Sequence, residues 1–118
     1  MENRYLYRAK RLDNGEWVVW NIFSGLYGTD IDKSTICQCT GLKDKNGKLI
    51  WENDIVKDKH GNFYKAFWQN NYYQFSWNCV KSDIFSIGAK WDLWSFKSFE
   101  IEVVGNIFDN KELLESEE

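Results

Sequence analysis

Apolar and polar positions alternate along much of this chain with the two-residue period of β-strands. Residues 4–12 (RYLYRAKRL) and 16–23 (EWVVWNIF) are rich in aromatic and branched side chains and flank Asp13-Asn14-Gly15. Asn-Gly is a turn pair whose backbone tolerates positive φ at both central positions, so the two arms are predicted to pair as a β-hairpin. In the second arm Trp17 and Val19 share one face and Val18 and Trp20 the other, which predicts a strand covered on both sides. Residues 24–34 carry no period and read as a loop punctuated by Gly25 and Gly28. A short strand over 35–42 follows, then a second Asn-Gly turn within 43–48 and an extended segment over 49–57. That segment breaks around Glu52-Asn53-Asp54, where Asn53 suits a left-handed backbone.

The middle of the chain reads as a meander. His60-Gly61-Asn62 turns the chain into 63–68, and Gln69-Asn70-Asn71 turns it again into 72–77. In the latter Tyr73, Phe75 and Trp77 lie on one face, and Tyr72, Gln74 and Ser76 on the other. Residues 78–90 are weakly patterned. Trp91 and Trp94 permit a helical turn, and Glu100 and Glu102 alternating with Ile101 and Val103 predict a strand over 99–104 that Gly105 ends. Residues 109–117 predict a short helix with Asp109 or Asn110 as its N-cap, Asp109 forming a capping box with Glu112. Nine residues are too few for an autonomous helix, which must dock or fray.

The fold expected is mainly β, bordering on α+β, in a single domain over 1–118. Residues 1–34 supply the N-terminal hairpin and loop, 35–108 a barrel-like β region, and 109–118 a C-terminal helix and acidic tail. Composition agrees: 43% of the 118 residues are hydrophobic, enough for a core, and 18% are aromatic, with 7 Trp, 6 Tyr, 8 Phe and no Pro. The net charge of −3 is local, because residues 111–118 hold four Glu and one Lys while residues 1–110 carry 14 basic and 14 acidic side chains. A neutral body is a poor electrostatic magnet for phosphate backbones. Arg4, Arg8, Lys10 and Arg11, and separately Lys43, Lys45 and Lys48, are candidate basic patches that read first as solvated strand and turn positions. No apolar run approaches the roughly 18 residues of a membrane span, and MENRYLYRAK has no apolar signal-peptide region. Together with three cysteines in no framework spacing, this predicts a reducing cytoplasm.

Little in the chain points to catalysis. His60 is the single histidine, in a turn, with no nucleophile signature around any Ser or Cys. Cys37, Cys39, Cys79 and His60 make up a tetrahedral ligand set in number, but Cys37 and Cys39 lack the spacing of a zinc knuckle and read as small buried hydrophobes. The carboxylate pairs Asp30/Asp32, Glu52/Asp54 and Glu100/Glu102 could hold a cation or move a proton, and exposed strands give the same pattern without function. Phosphate-cradling glycine loops are absent. No catalytic residue, metal or cofactor is therefore expected. The aromatic excess is the remaining feature: Phe63, Tyr64, Phe67, Trp68, Tyr72, Tyr73, Phe75 and Trp77 cluster on two adjoining strands. Half must fill the core, and the rest could contact a protein, another copy, or bases.

Three segments together, KRLDNGEWV (10–18), TGLKDKNGKLIWENDIVK (40–57) and VVGNIFDNKELLE (103–115), resemble the YopX family of small phage and prophage proteins, in that family's order. The resemblance implies a β-rich fold with a small SH3-like barrel plus additional elements, a phage or prophage origin and a bacterial cytoplasmic setting. It implies no activity and transfers no catalytic residue. The family usually has Gly where Asn53 stands, in keeping with a left-handed turn, and often Pro where Lys111 stands, which favours Asn110 as the N-cap. The function expected is a non-enzymatic accessory protein that binds a host or phage protein, or a second copy, through Phe67, Trp68, Tyr72, Tyr73, Trp91 and Trp94. The alternative is a nucleic-acid-binding barrel with basic contacts at Lys57 and Lys65 beside Phe67 and Trp68, recognisable by a steep salt dependence.

Overall fold

A computed structural model describes residues 3–114. The chain forms nine strands: β1 (Leu6–Arg11), β2 (Trp17–Asn21), β3 (Ile31–Lys43), β4 (Leu49–Trp51), β5 (Asp54–Asp58), β6 (Phe63–Gln69), β7 (Gln74–Lys81), β8 (Lys90–Asp92) and β9 (Ile101–Asn106). They make two antiparallel sheets, β2-β1-β3-β4 and β8-β7-β6-β5-β9. Short 3-10 turns lie at Asn3–Tyr5, Leu93–Ser95, Ser98–Glu100 and Lys111–Leu113.

The N-terminal hairpin forms, but through a four-residue turn. Arg11 N donates to Glu16 O at 2.9 Å and Gly15 N to Arg11 O at 3.0 Å. Only Gly15 of the Asn-Gly pair has positive φ, at 73°, because Asn14 instead accepts the Glu16 amide with its side chain. β2 is an edge strand with Val19 exposed, so it is not covered on both faces as its apolar pattern suggested. β3 starts earlier than expected and bulges against β1 between the pairs Arg8↔Cys37 and Lys10↔Asp32. Thr35 fills the gap: its hydroxyl accepts from Lys10 N at 2.8 Å and donates to Asp32 O at 2.6 Å.

β4 and β5 are one extended segment broken at Glu52-Asn53. Asn53 has φ 72°, its N donates to Ala66 O at 2.7 Å, and its O accepts from Ile107 N at 3.1 Å. The reversal sends β4 to the first sheet and β5 to the second. A Cβ in this region crowds the following carbonyl, and Asn tolerates it only in part. Asn53→Ala is expected to cost about 1–2 kcal/mol, and Asn53→Gly to leave stability unchanged or raise it by up to about 1 kcal/mol. Urea denaturation checks the order Gly, Asn, Ala; an alanine variant as stable as the glycine one refutes it.

The barrel expected over 35–108 is not closed. β8 and β9 remain the edges of the larger sheet, and a turn from the other sheet occupies the free side of β9. In that turn Asp44 Oδ1 accepts from Asn46 N and Lys48 N, both at 2.9 Å, while Oδ2 reaches across to Val103 N at 2.8 Å. Burial opposes the Asp44 charge, but the Val103, Lys48 and Asn46 amides outweigh it and lower its pKa.

The main core lies on the face of the larger sheet that carries Val56, Tyr64, Ala66, Trp77 and Cys79, joined by Ile50 and Ile101. Phe96 caps it, 4.7 Å from the Tyr64 ring and 5.9 Å from that of Trp77. The polar ends of the buried rings are satisfied: Tyr64 OH donates to Asp58 Oδ2 at 2.8 Å and Trp77 Nε1 to Leu93 O at 3.1 Å.

The C-terminal helix expected from 109 is reduced, among the described residues, to one 3-10 turn; residues 115–118 lie outside them. Asn110 does not cap it, because its Oδ1 accepts from Asn106 N at 3.2 Å. Gly105 lies inside β9 rather than ending it, and a Cβ there would fall 2.5 Å from Asn110 Oδ1.

Candidate functional site

The alternation in β6 and β7 sorts the candidate aromatics. Trp68 pairs with Phe75, Ala66 with Trp77 and Tyr64 with Cys79, which puts Trp68 on the core face, at its rim. Its ring meets Phe75 edge-on at 5.2 Å and stays 40% exposed. Phe67 and Lys65 project from the opposite face, so the grouping of Lys57, Lys65, Phe67 and Trp68 is not one surface. Tyr72 and Tyr73 fall in the β6–β7 turn, before β7 begins. They are 67% and 81% exposed, and Tyr73 has φ 53°.

Trp91 differs from the outward position expected of it. It is half-buried, with its ring 5.3 Å from Tyr64 and 5.0 Å from Phe85. Its remaining surface, with Tyr72 and Ser95, lines a groove of about 630 Å³ at the β8 edge. Gln69, Gln74, Lys90 and Asp92 complete the lining. Gln74 Nε2 donates to Asp92 Oδ1 at 2.7 Å, and Ser76 Oγ to Gln69 Oε1 at 2.7 Å, which fixes the polar wall. Trp94 neighbours Ser95 in the Leu93–Ser95 turn and is 78% exposed.

A second constellation joins the two sheets. Arg8 from β1 places Nη2 2.7 Å from Asp54 Oδ1 in β5, and both side chains are nearly buried. The guanidinium lies 4.1 Å from the Trp17 ring and 5.1 Å from that of Trp51, held by both π-faces. Asp54 Oδ2 accepts from Trp51 N at 2.8 Å. Burial nonetheless pushes the Asp54 carboxyl up to about 6, against the opposing pull of Arg8 and the Trp51 amide. Beside this pair, Asp109 takes hydrogen bonds from Lys10 and from Trp17 Nε1. Burial opposes its charge, but Lys10, Trp17 and Asn106 together hold its pKa down at about 2.

Arg8, Lys10 and Arg11 thus face carboxylates of the same chain, Arg11 being paired with Asp13. Lys45 lies 3.7 Å from Glu102, and Lys43 and Lys48 are exposed. Cys37 and Cys39 are buried in β3 and Cys79 in β7, whereas His60 is in an exposed turn. Among the described residues, no three His, Cys, Asp or Glu side chains are grouped to hold a metal. Burial raises the Cys37 thiol to about 11, so it is an inert small hydrophobe at neutral pH. The carboxylate pairs serve local structure: Asp32 accepts from the Ser34 amide and hydroxyl, Glu52 from Gln38 N, and Glu100 from Lys97 N.

Arg8 is the residue that sequence reasoning misplaced most, since a cation in an alternating strand reads as solvent-facing. Its only signal is its setting among Trp17, Val18 and Trp20 of the predicted hairpin partner. Among the described residues, no helix is long and apolar enough to cross a membrane. No curated protein matches the sequence. The YopX protein family matches over residues 7–115, which takes in the unpatterned stretch at 78–90 as well as the three motif segments. The chain belongs to the YopX family.

Proposed function

We propose that this protein is a non-enzymatic phage or prophage accessory module that acts in the bacterial cytoplasm by binding another protein at the β8-edge groove. The observation that carries the reading is that exposed Tyr72 lines this groove with Trp91, while its chain neighbour Tyr73 and Trp94, next to the lining residue Ser95, are exposed as well. Exposed Tyr and Trp contribute most of the binding energy at protein interfaces when a partner desolvates them. The groove has a matching composition, the rings of Tyr72 and Trp91 together with the polar side chains of Gln69, Gln74, Lys90 and Asp92. The charged ends of β8, Lys90 and Asp92, discourage strand addition, so side chains of the partner rather than its backbone would enter. A role without catalysis is supported by His60, which stands in an exposed turn rather than beside a nucleophile.

The test is affinity capture from cells in which the parent phage or prophage is active. The wild-type protein is expected to retain a partner, and Tyr72→Ala/Tyr73→Ala/Trp94→Ala to lose it while its melting temperature stays close to wild type. These exposed positions should each change stability by no more than about 0.5 kcal/mol. A triple variant that captures the same partner equally well, or a wild-type protein that retains nothing, refutes the proposal. Light scattering that shows a stable dimer broken by the same three changes would assign the surface to self-association instead.

A further inference from the structure

The second large groove of the molecule, about 670 Å³, lies on the other side of the core, where the β5–β6 turn faces the Ser98–Glu100 turn. Its rim carries Lys57, Lys59 and His60, and its wall carries Phe96 and Phe99. Formal charges cancel, because Asp58, Glu100, Glu102 and Lys45 also line it. Their engagement does not cancel. Asp58 is saturated by His60 N, Asn62 N, Asn62 Nδ2 and Tyr64 OH, all within 3.0 Å. Glu100 accepts from Lys97 N at 2.6 Å, and Glu102 is met by Lys45. Among the described residues, Lys57, Lys59 and His60 have no side-chain hydrogen bond or ion pair. Lys57, Lys59 and His60 are therefore the uncommitted donors of this groove.

The apolar wall narrows the ligand further. Phe96 is anchored by Tyr64, Trp77 and Trp91, so its position is rigid. Phe99 stands free, 71% exposed, with no ring contact of its own within the fold. An exposed aromatic ring beside unpaired lysines offers a stacking face next to a phosphate contact. The volume lies within the range of small-molecule sites and holds one nucleotide unit.

We infer that the groove between Lys57, Lys59, His60 and Phe99 binds a nucleoside phosphate, with the base against Phe99 and the phosphate on the lysine rim. Free mononucleotides and the 5′-phosphorylated end of a single strand share this chemistry. The site is separate from the β8-edge groove, so either reading can fail without the other.

Amide chemical-shift titration of the full chain tests this, with adenosine monophosphate, adenosine, inorganic phosphate, and a short oligonucleotide with and without a 5′-phosphate as probes. Adenosine monophosphate is expected to saturate shifts at 57–61 and 96–102, with adenosine and phosphate each weaker by about tenfold or more. Tighter binding of the phosphorylated oligonucleotide assigns a strand end, and equal binding of both assigns the free nucleotide. Lys57→Glu/Lys59→Glu should weaken the nucleotide by at least about tenfold and remove its salt dependence. Phe99→Ala should weaken the nucleotide and leave phosphate unchanged. All these positions are exposed or half-buried, and the melting temperature of each variant checks its fold. Absence of saturable shifts at millimolar nucleotide overturns the inference. So does a polyglutamate peptide that binds as tightly as the nucleotide, since it would show a bulk anion surface with no use for the ring.

Discussion

Trp77→Ala is expected to destabilise the protein by about 3–5 kcal/mol, roughly half the stability of a domain of ordinary strength. Trp77 is fully buried at 0% exposure in the middle of the larger sheet, across from Ala66 on one side and Trp91 on the other. Ala66 is too small to fill the space a missing indole leaves, and Phe96 and Trp91 are held by Tyr64. The cavity therefore collapses little. The Leu93 carbonyl also loses the indole N–H that it accepts at 3.1 Å. The melting temperature should fall by about 15 °C or more. Trp77→Phe, which keeps a ring but removes the hydrogen bond, should lose less than half as much. Urea denaturation followed by circular dichroism checks both, and an alanine variant within about 1 kcal/mol of wild type would show that the ring is not the centre of the core.

Arg8→Ala is the second large loss expected, again about 3–5 kcal/mol, because it strands the buried Asp54 carboxylate rather than because the pair itself is strong. Arg8→Met/Asp54→Asn should recover more than half of that loss. The amide can still accept from Trp51 N, and methionine can still fill the gap between Trp17 and Trp51. The same pair sets the pH profile. Asp54 has a folded pKa near 6, above its unfolded value, so the folded state holds its proton longer. Stability from this group is present below about pH 4 and is lost as pH rises towards 6, by about 3 kcal/mol. Asp44, Asp58 and Asp109 have lowered folded values, so their stabilisation is present above about pH 4 and lost on acidification. Stability should therefore peak on the mildly acidic side. Asp54→Asn should shrink the fall between about pH 4 and 6 to the part left by Glu52, whose carboxyl burial also raises, and keep the acid limb. A wild-type profile flat across that interval would contradict the burial assigned to Asp54.

What could be read directly from the residues was local. The hairpin around Asn14-Gly15, the reversal at Asn53 and the meander from 63 to 77 each rest on neighbours a few positions apart, and each is present. How the two open sheets join was not legible. One link is the Asp44 side chain meeting Val103, 59 positions away, and no alternation pattern encodes that contact. Arg8 and Asp54, 46 positions apart, are illegible for the same reason. Alternation also cannot say how far a face is covered. Trp91, expected on the binding surface, is mostly enclosed by Tyr64, Phe85 and Phe96, and Tyr73, read as part of a strand, lies in the turn before β7. The groove at Lys57 and Phe99 escaped because it is assembled from a turn and a 3-10 segment that share no period.

The place of β9 beside β5 has a consequence for synthesis. Ile55 and Val56 are buried, yet one side of their strand is completed only by residues 101–106, which are synthesised well after it. While the ribosome still encloses that stretch, the emerging polypeptide carries an unpaired, greasy margin that chaperones or a sister nascent chain can seize. Premature stop codons after the β7–β8 region should accordingly yield aggregates, not shortened folded products.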